Sequence, residues 1–309
     1  MKNHKQIAWI FSVSLCFIFS FSLHTQEPRS AGGWHISGVL DGRETPTGAF
    51  LNITAIDLDS EGNLFILDGG RNRLLKYSVN GRLIKEIGGF GSRQDRFNDP
   101  RDLDAHLTLN IYVADYNNDR IVLLDNHLNY LNEFKSAPDD LYFFEMPLSV
   151  AVNNQYDLFI LEDLNKRIVK YDRFNQPSAQ FGRASENLGQ LLGPAQIAMG
   201  SKNELFISDP ITKSVLMFDY LGNFLSEISH PDFIEPRGID VSFQEDLLVA
   251  DQKGKKVYFY KVNGKLSDIL DLEPYDIVPT DVSLWHPRGT RHLQLYLSSV
   301  DKCYLLVKD

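Results

Sequence analysis

An internal repeat constrains the fold of this 309-residue chain more than any other feature of its sequence. The stretch "IYVADYNNDRIVLLD", residues 111 to 125, has relatives that begin at Asn63, Asp157, Glu204, Asp246 and, in degenerate form, Gln294. An acidic residue marks the copies at Asp68, Asp115, Asp163, Asp209 and Asp251, and Ser299 holds the sixth place. Repeats of nearly constant length indicate equivalent structural units that bury a core by stacking on one another.

Each unit has the pattern of short strands rather than of helices. Residues 55 to 89, "AIDLDSEGNLFILDGGRNRLLKYSVNGRLIKEIGG", contain four β-rich runs separated by the turn sequences "SEGN", "GGRN" and "VNGR". Four strands in about 40 to 50 residues are typical of a propeller blade. The sequence therefore predicts an all-β protein, a six-bladed β-propeller of four-stranded antiparallel blades.

The sixth unit supplies three strands, and a segment before the first unit supplies the fourth. "GGWHISGVLDG", residues 32 to 42, alternates in the way a strand does. We expect a strand at 33–41 to complete the last blade, because ring closure removes exposed sheet edges. A single propeller then fills residues 31–309, with blades at about 50–96, 97–142, 143–190, 191–232, 233–275 and 276–309.

Residues 1–30 differ from the rest of the chain and predict export. Lys2 and Lys5 precede an uncharged, largely apolar stretch at residues 7–23, the layout of a secretory signal peptide. Retention as a membrane tether and lipidation at Cys16 stay open. Without this segment a single cysteine, Cys303, remains, so no internal disulfide can form. We expect a monomeric propeller that is periplasmic, envelope-associated or extracellular.

The charge balance excludes one class of partner. The chain carries 41 acidic and 31 basic side chains, a net charge of -10, and no basic patch is visible in the sequence. Such a chain repels polyphosphate, so we expect no nucleic acid partner.

The order of markers within each unit resembles the NHL repeat. The clearest matches are "FNDPRDLD" followed by "IYVADYNNDRIVLLD", and "FIEPRGIDV" followed by "LLVADQKGKKVYFY". The resemblance covers residues 50 to about 300 and implies the propeller fold. It says little about function, because propellers host binding, scaffolding and several enzyme chemistries.

The loop after the second strand of blade two suggests calcium at first sight, because Asp115, Asn117 and Asp119 alternate. A calcium loop of the EF-hand type also needs glycine at its sixth position and a carboxylate at its twelfth, and this chain has Arg120 and Asn126 there. The other copies keep the first acidic residue but not the later oxygens. We therefore interpret the repeated acidic residue as a scaffold group that accepts backbone N–H bonds.

Residues that open the innermost strands ring the central channel and differ between blades, which favours them as functional positions. By register they are Thr54, Asp102, Ser149, Gln196, Gly238 and Asp281. Arg101 and Arg237 flank two of them. Asp102 and Asp281 lie on blades that both neighbour blade one, so they could converge on a cation or on an arginine. The alternative is a water-filled polar lining.

Enzymes with related propellers supply a comparison. Amidating lyases bind zinc with several channel histidines, and gluconolactonase-like propellers hold calcium with Glu, Asn and Asp from different blades. The chain's histidines, such as His106, His286 and His292, open no inner strand, and axial carboxylates are few. We expect no cofactor, with calcium left open, and a metal-assisted hydrolase or lactonase-like enzyme as the alternative function.

Exposed aromatic residues suggest a binding surface on the face that carries the loops into the inner strands. Tyr142 and Phe143 lie in one such loop, and Tyr116 and Asn117 lie in a neighbouring turn. Aromatic side chains with polar neighbours on a rigid rim are suited to a protein, peptide or carbohydrate ligand. Packing between blades would explain the same rings equally well. The sequence thus favours a non-catalytic binding module of the cell envelope.

Overall fold

The structure is a computed structural model that describes residues 33–107, 109–137, 142–183, 188–287, 289–290 and 292–308. The predicted signal peptide or anchor at residues 1–30, with Cys16, lies outside the described residues. Within the described part of the chain, no helix is long and apolar enough to span a membrane.

The described residues form six four-stranded antiparallel sheets, one for each blade. The strands of blade one are β2 (Ile53–Leu58), β3 (Leu64–Asp68), β4 (Arg73–Tyr77) and β5 (Leu83–Gly88). Those of blade two are β6 (Pro100–Asp104), β7 (Asn110–Asp115), β8 (Arg120–Asp125) and β9 (Tyr130–Phe134). Those of blade three are β10 (Pro147–Val152), β11 (Leu158–Glu162), β12 (Arg167–Tyr171) and β13 (Pro177–Phe181).

The remaining blades repeat this order. The strands of blade four are β14 (Gln196–Met199), β15 (Leu205–Asp209), β16 (Ser214–Phe218) and β17 (Phe224–Ser229). Those of blade five are β18 (Pro236–Val241), β19 (Asp246–Asp251), β20 (Lys256–Lys261) and β21 (Leu266–Asp271). Those of blade six are β22 (Asp281–Trp285), β23 (Leu293–Ser298), β24 (Cys303–Lys308) and β1 (Trp34–Leu40).

The inner strand of each blade contacts the inner strands of the two neighbouring blades, and β2 contacts β22 to close the circle. A central channel runs along these six strands. The structure confirms the predicted six-bladed propeller of four-stranded antiparallel blades.

The N-terminal strand closes the ring as predicted. β1 pairs antiparallel with β24, in a register that runs from Trp34 opposite Lys308 to Leu40 opposite Cys303. A single sheet therefore holds the first and last strands of the described chain. The outer edge of blade six is a strand from the beginning of the chain rather than an unpaired β24.

The core lies between blades, because each sheet buries both faces against its neighbours. Phe65 and Leu67 of blade one, for example, pack with Leu103 and Val113 of blade two. An apolar residue three to five places before the inner strand of blades one to five is buried in this core: Phe50, Phe97, Phe144, Leu191 and Phe233. Burying a side chain of this size contributes roughly 1.5–3 kcal/mol.

The repeated acidic residue clamps the interblade loop onto its blade in blades one, two, four and five. Asp115 accepts a hydrogen bond from the Asn98 backbone N–H at 2.7 Å and from Arg120 Nε at 2.7 Å. Asp251 likewise accepts from the Glu235 N–H at 2.7 Å. Asp115 is thus a scaffold group, which agrees with the interpretation that the repeat comparison favours.

Blade three departs from the predicted register by one residue. Glu162, not Asp163, pairs with Pro147 and is fully buried, and its Oε2 accepts from Arg167 Nε at 2.6 Å. Asp163 instead accepts a hydrogen bond from the Tyr116 hydroxyl at 2.7 Å. In blade three the longer glutamate therefore supplies the carboxylate that an aspartate supplies in blades one, two, four and five.

Candidate functional site

β-Bulges at the start of the inner strands build one mouth of the channel. Register shifts skip Thr54, Arg101, Leu148 and Arg237, each of which follows the residue that begins its strand. A bulge places two residues opposite one and re-aims a side chain. Six residues at equivalent places, here called the arginine mouth, line a cavity of about 280 Å³: Thr54, Arg101, Leu148, Ala195, Arg237 and Thr280.

Both arginines of the mouth are partly exposed and fixed by a carboxylate two residues earlier. Arg101 Nη2 donates to Asp99, and its guanidinium lies 4.8 Å from the centre of the Tyr116 ring. Arg237 Nε donates to Glu235 at 2.9 Å. The exposed fractions of the Arg101 and Arg237 side chains are 41% and 47%. Each guanidinium is therefore held in place while part of it still faces solvent.

Below the mouth, four side chains close the channel and form what we call the plug: Asp102, Ser149, Gln196 and Asp281. Gln196 Nε2 donates to Asp102 Oδ1 at 3.0 Å and to Asp281 Oδ2 at 3.4 Å. Its Oε1 accepts from the Ile239 N–H at 2.7 Å. The amide of blade four thus bridges carboxylates of blades two and six across the channel. Asp102 and Asp281 converge on this amide rather than on an arginine.

Burial of the plug favours the neutral form of its carboxyl groups. Burial raises the pKa of Asp102 to about 6, although hydrogen bonds from Ser149, Val150 and Gln196 oppose the shift. Burial and the charge of Asp102 raise the pKa of Asp281 well above its usual range. Proton binding by either carboxyl relieves the repulsion between them.

At the opposite end of the channel lies a second set of titratable side chains, here called the acidic end: Asp57, Asp104, His106 and Asp240. His106 Nδ1 lies 2.7 Å from Asp104 Oδ1. Asp57 Oδ2 accepts from the Ala105 N–H at 2.6 Å, and Asp240 Oδ2 accepts from the Ser283 hydroxyl at 2.9 Å. Asp57, His106 and Asp240 line a cavity of about 150 Å³ with Leu107, Met199 and Phe243.

The acidic end places three carboxyl groups near a single imidazole. Burial and the charges of Asp240 and Asp104 raise the pKa of Asp57 well above its usual range. Burial lowers the pKa of His106, but the charge and hydrogen bond of Asp104 outweigh it and raise the value to about 9. His106 is therefore a cation at neutral pH, and it interacts electrostatically with Asp104, Asp57 and Asp240.

The sequence-predicted site residues separate into two groups in space. Arg101, Asp102, Gln196 and Arg237 line the same cavity, and Asp281 contacts Gln196 from below. Tyr116 stacks on Arg101 at the rim. The other group consists of Asn117, Tyr142 and Phe143, which do not line this cavity.

Tyr142 and Phe143 serve packing in this structure. Tyr142 packs against the core between blades two and three, and Arg167 lies 5.5 Å from the centre of the Phe143 ring. Asn117 donates to the Asn98 carbonyl through its backbone N–H at 3.1 Å. The aromatic pair therefore contacts the core and the clamp of blade three rather than the arginine mouth.

Two features of the channel were not predicted by the sequence register: the position of Thr54 and the acidic end. The bulge moves Thr54 to the mouth, so Ala55, not Thr54, is the blade-one equivalent of Asp102. The acidic end was missed because only the first channel-facing residue of each inner strand was considered. Side chains alternate along a strand, so the residue two places further on, such as Asp104 after Asp102, also faces the channel.

The fold has known structural relatives, whereas the sequence does not match a known family. No protein-family profile and no curated protein sequence matches the chain. A virginiamycin B lyase from Staphylococcus aureus is 13% identical with a TM-score of 0.60, covering 89% of this chain and 100% of that one. A gluconolactonase from Xanthomonas campestris is 11% identical with a TM-score of 0.62, covering 84% and 87%.

A protein complex is also among the similar structures. A chain of a nidogen/laminin complex is 16% identical with a TM-score of 0.55, covering 71% of this chain and 80% of that one. At these identities the comparisons establish the class, a six-bladed β-propeller.

The described residues do not offer a metal centre of the kind found in some propeller enzymes. Among residues 33–308, apart from the undescribed positions, no three His, Cys, Asp or Glu side chains are placed to hold one ion. In the plug, Gln196 presents an N–H donor, not an oxygen, to both carboxylates. Calcium requires six to eight oxygen ligands, so the plug does not fit it.

Proposed function

We propose that this chain is an exported, non-catalytic binding protein of NHL type that holds an anionic ligand in the arginine mouth. One observation carries the proposal. Two partly exposed arginines line a cavity whose floor is closed by the hydrogen-bonded plug. A cavity that is open at one end and sealed at the other suits the capture of a ligand rather than passage through the channel.

The chemistry of the lining favours an anion. Arginine presents several N–H donors in a plane and binds carboxylate groups in a bidentate manner. The amides of Asn52 and Gln252 also line the cavity and can add hydrogen bonds. A carboxylate-bearing peptide or an acidic carbohydrate at the cell envelope fits this lining.

The direction of the closing strand shows how a tethered propeller would be oriented. β1, β24, β23 and β22 alternate in direction, and β22 runs from the mouth towards the acidic end. β1 therefore begins at the acidic end of the channel. If residues 1–30 act as a membrane tether, the arginine mouth faces away from the membrane and stays accessible to a ligand.

Native mass spectrometry of the full chain tests this proposal. The protein is incubated with the low-molecular-mass extract of an envelope fraction, alongside the double variant Arg101→Gln/Arg237→Gln. We expect an anionic adduct on the wild type that is lost from the double variant. Arg43→Gln is the matched control, because Arg43 also pairs with an aspartate two residues earlier but is 81% exposed outside the mouth.

An unchanged adduct on the double variant, or no adduct on any form, would refute the proposal. Circular dichroism and thermal unfolding of all three forms establish that the variants are folded.

An enzyme is the second candidate function, because similar structures include a lyase and a gluconolactonase. The test is hydrolysis of glucono-δ-lactone with added calcium, followed by acid release at constant pH. We expect no acceleration over the uncatalysed rate, since the described residues offer no calcium-binding group of three acidic or histidine side chains. Turnover that Asp102→Asn and Asp281→Asn both abolish would instead establish a hydrolase at the plug.

A further inference from the structure

We infer that the ligand of the arginine mouth carries two anionic groups, one at each end of a short body, which is the chemistry of a small dicarboxylate. This inference rests on the proposed binding function and specifies its ligand. The two arginines occupy opposed positions in the ring. Arg101 belongs to blade two and Arg237 to blade five. In a closed ring of six blades, blades two and five lie opposite each other.

The two arginines are held apart by the same device. Asp99 fixes Arg101 and Glu235 fixes Arg237, each from two residues earlier in the chain. Tyr116 supports Arg101 from one side, and Lys253 Nζ lies 2.9 Å from the second oxygen of Glu235. A single anion in the centre of the mouth would have to draw both guanidinium groups away from these partners.

Two anionic groups, in contrast, can meet the arginines where they already stand. Each described ion pair engages one nitrogen of the guanidinium, Nη2 in Arg101 and Nε in Arg237. A guanidinium has five N–H donors, so further donors exist for a ligand on each side of the cavity. Preorganised donors bind without the cost of rearranging the site.

The four mouth positions between the arginines offer few free polar groups to the middle of a ligand. On one side lie Leu148 and Ala195, which have no side-chain donors or acceptors. On the other side the Thr54 hydroxyl donates to the Pro100 carbonyl at 3.0 Å, and the Thr280 hydroxyl lies 2.7 Å from Ser298 Oγ. Both hydroxyls are thus already engaged by the protein. An aliphatic body therefore suits the space between the two charged ends.

The size of the cavity agrees with a small ligand. Its volume of about 280 Å³ is just below the roughly 300–1,000 Å³ range of ligand pockets, so a small ligand suits it. Asp102 lies in the floor and repels an anion that descends, whereas the opposed arginines attract anions at the rim. A ligand that lies across the mouth between blades two and five satisfies both conditions.

Isothermal titration of the full chain at low ionic strength tests the inference with two probes. Adipate and hexanoate have the same carbon chain, but adipate has a carboxylate at each end. We expect adipate to bind at least tenfold more tightly than hexanoate. Succinate and glutarate are titrated in parallel, because the shorter acids report the spacing that the mouth prefers.

Single variants separate a two-ended ligand from a one-ended one. We expect Arg101→Gln and Arg237→Gln each to reduce the affinity for the best dicarboxylate to that for hexanoate, and Arg43→Gln to leave it unchanged. Equal affinities for mono- and dicarboxylates, or loss in one arginine variant alone, would overturn the inference.

The proposed function and this inference fail in different ways. Should none of the three dicarboxylates bind while the envelope adduct still requires both arginines, the dicarboxylate inference is wrong and the binding function stands. Loss of the arginine dependence of the adduct overturns both. Unfolding temperatures of the single variants within a few degrees of the wild type establish that changes in affinity are not changes in folding.

Discussion

The two ends of the channel are built from the same six strands, yet they manage charge in opposite ways. At the arginine mouth each cation has its own carboxylate and faces solvent. At the acidic end the cationic imidazole of His106 lies in a cluster with the carboxyl groups of Asp57, Asp104 and Asp240. The mouth therefore has guanidinium donors available for a ligand, whereas at the acidic end burial raises the pKa of Asp57 and Asp240.

The difference follows from the place of each residue in the inner strand. A bulge turns the second residue of the strand towards solvent at the mouth, as in Arg101. Regular alternation then keeps Asp102 and Asp104 in the channel. The mouth suits recognition because its groups are solvated and paired, and the buried carboxyls make stability depend on pH.

Removing the plug is expected to have the largest effect on the free energy of unfolding, because Gln196 hydrogen-bonds to three other blades. Gln196→Leu removes a donor to two buried carboxylates and an acceptor for the Ile239 N–H. Each unsatisfied group costs about 1–3 kcal/mol, so we expect the free energy of unfolding to fall by about 3–5 kcal/mol. Urea denaturation measures the change.

Gln252→Leu is the control for the plug. It replaces an amide that lines the mouth but lies outside the plug, and we expect a loss below about 1 kcal/mol. Equal losses in Gln196→Leu and Gln252→Leu would show that the amide bridge does not connect the blades energetically.

The pH dependence of Asp102 is the next largest effect. Its pKa of about 6 in the folded state exceeds the ordinary value of 3.8, so folding favours the protonated form. Stability from this group is present below pH 4 and is lost as pH rises to about 6. The wild type should therefore lose about 2 kcal/mol of unfolding free energy relative to Asp102→Asn between pH 4 and pH 7.

Asp125 supplies a control with the opposite sign. Burial raises its pKa, but hydrogen bonds from Asn129 and His127 together outweigh this and lower it. Asp125→Asn should accordingly be less stable than the wild type at neutral pH. This difference in unfolding free energy should disappear as pH falls. Parallel pH profiles for the Asp102 and Asp125 variants would contradict the burial argument for the plug.

His106 is expected to give the smallest of the three effects. Its pKa is raised to about 9, so the stability it contributes is complete below pH 6.5 and disappears as pH rises through 9. We expect the wild type to lose about 1–2 kcal/mol relative to His106→Gln over this window, because the side chain is 31% exposed and solvent screens its charge. Urea denaturation from pH 6 to pH 9.5 measures it.

His127→Gln replaces another histidine, in a hairpin between β8 and β9, and tests whether any imidazole has this effect. A similar pH profile for both histidine variants would remove the acidic end as the origin of the dependence.

The fold was predictable from the sequence because its signals are repeated. Turn sequences and alternating strands recur in every unit, and the closing strand at 33–41 was identified from the strand that blade six lacks. The register was less predictable. A bulge adds one residue without altering the hydrophobic pattern, so the Thr54 position was assigned one residue too early.

The candidate site was predictable only in part. Arg101, Asp102, Gln196 and Arg237 share one cavity, as their equivalent positions suggested. The bridge from Gln196 to Asp281 depends on the width of the channel and on side-chain reach, which no local pattern encodes. The acidic end could have been found by reading two residues further along each inner strand.

Ring closure by β1 and β24 has a consequence for the order of events during synthesis. The first strand of the propeller leaves the ribosome long before its partner, since almost the whole propeller lies between them. Blade six cannot be completed until β24 has been made, although earlier blades can form as they emerge. Ring closure therefore joins the two described strands that lie farthest apart along the chain, and it is the pairing that folding can make last.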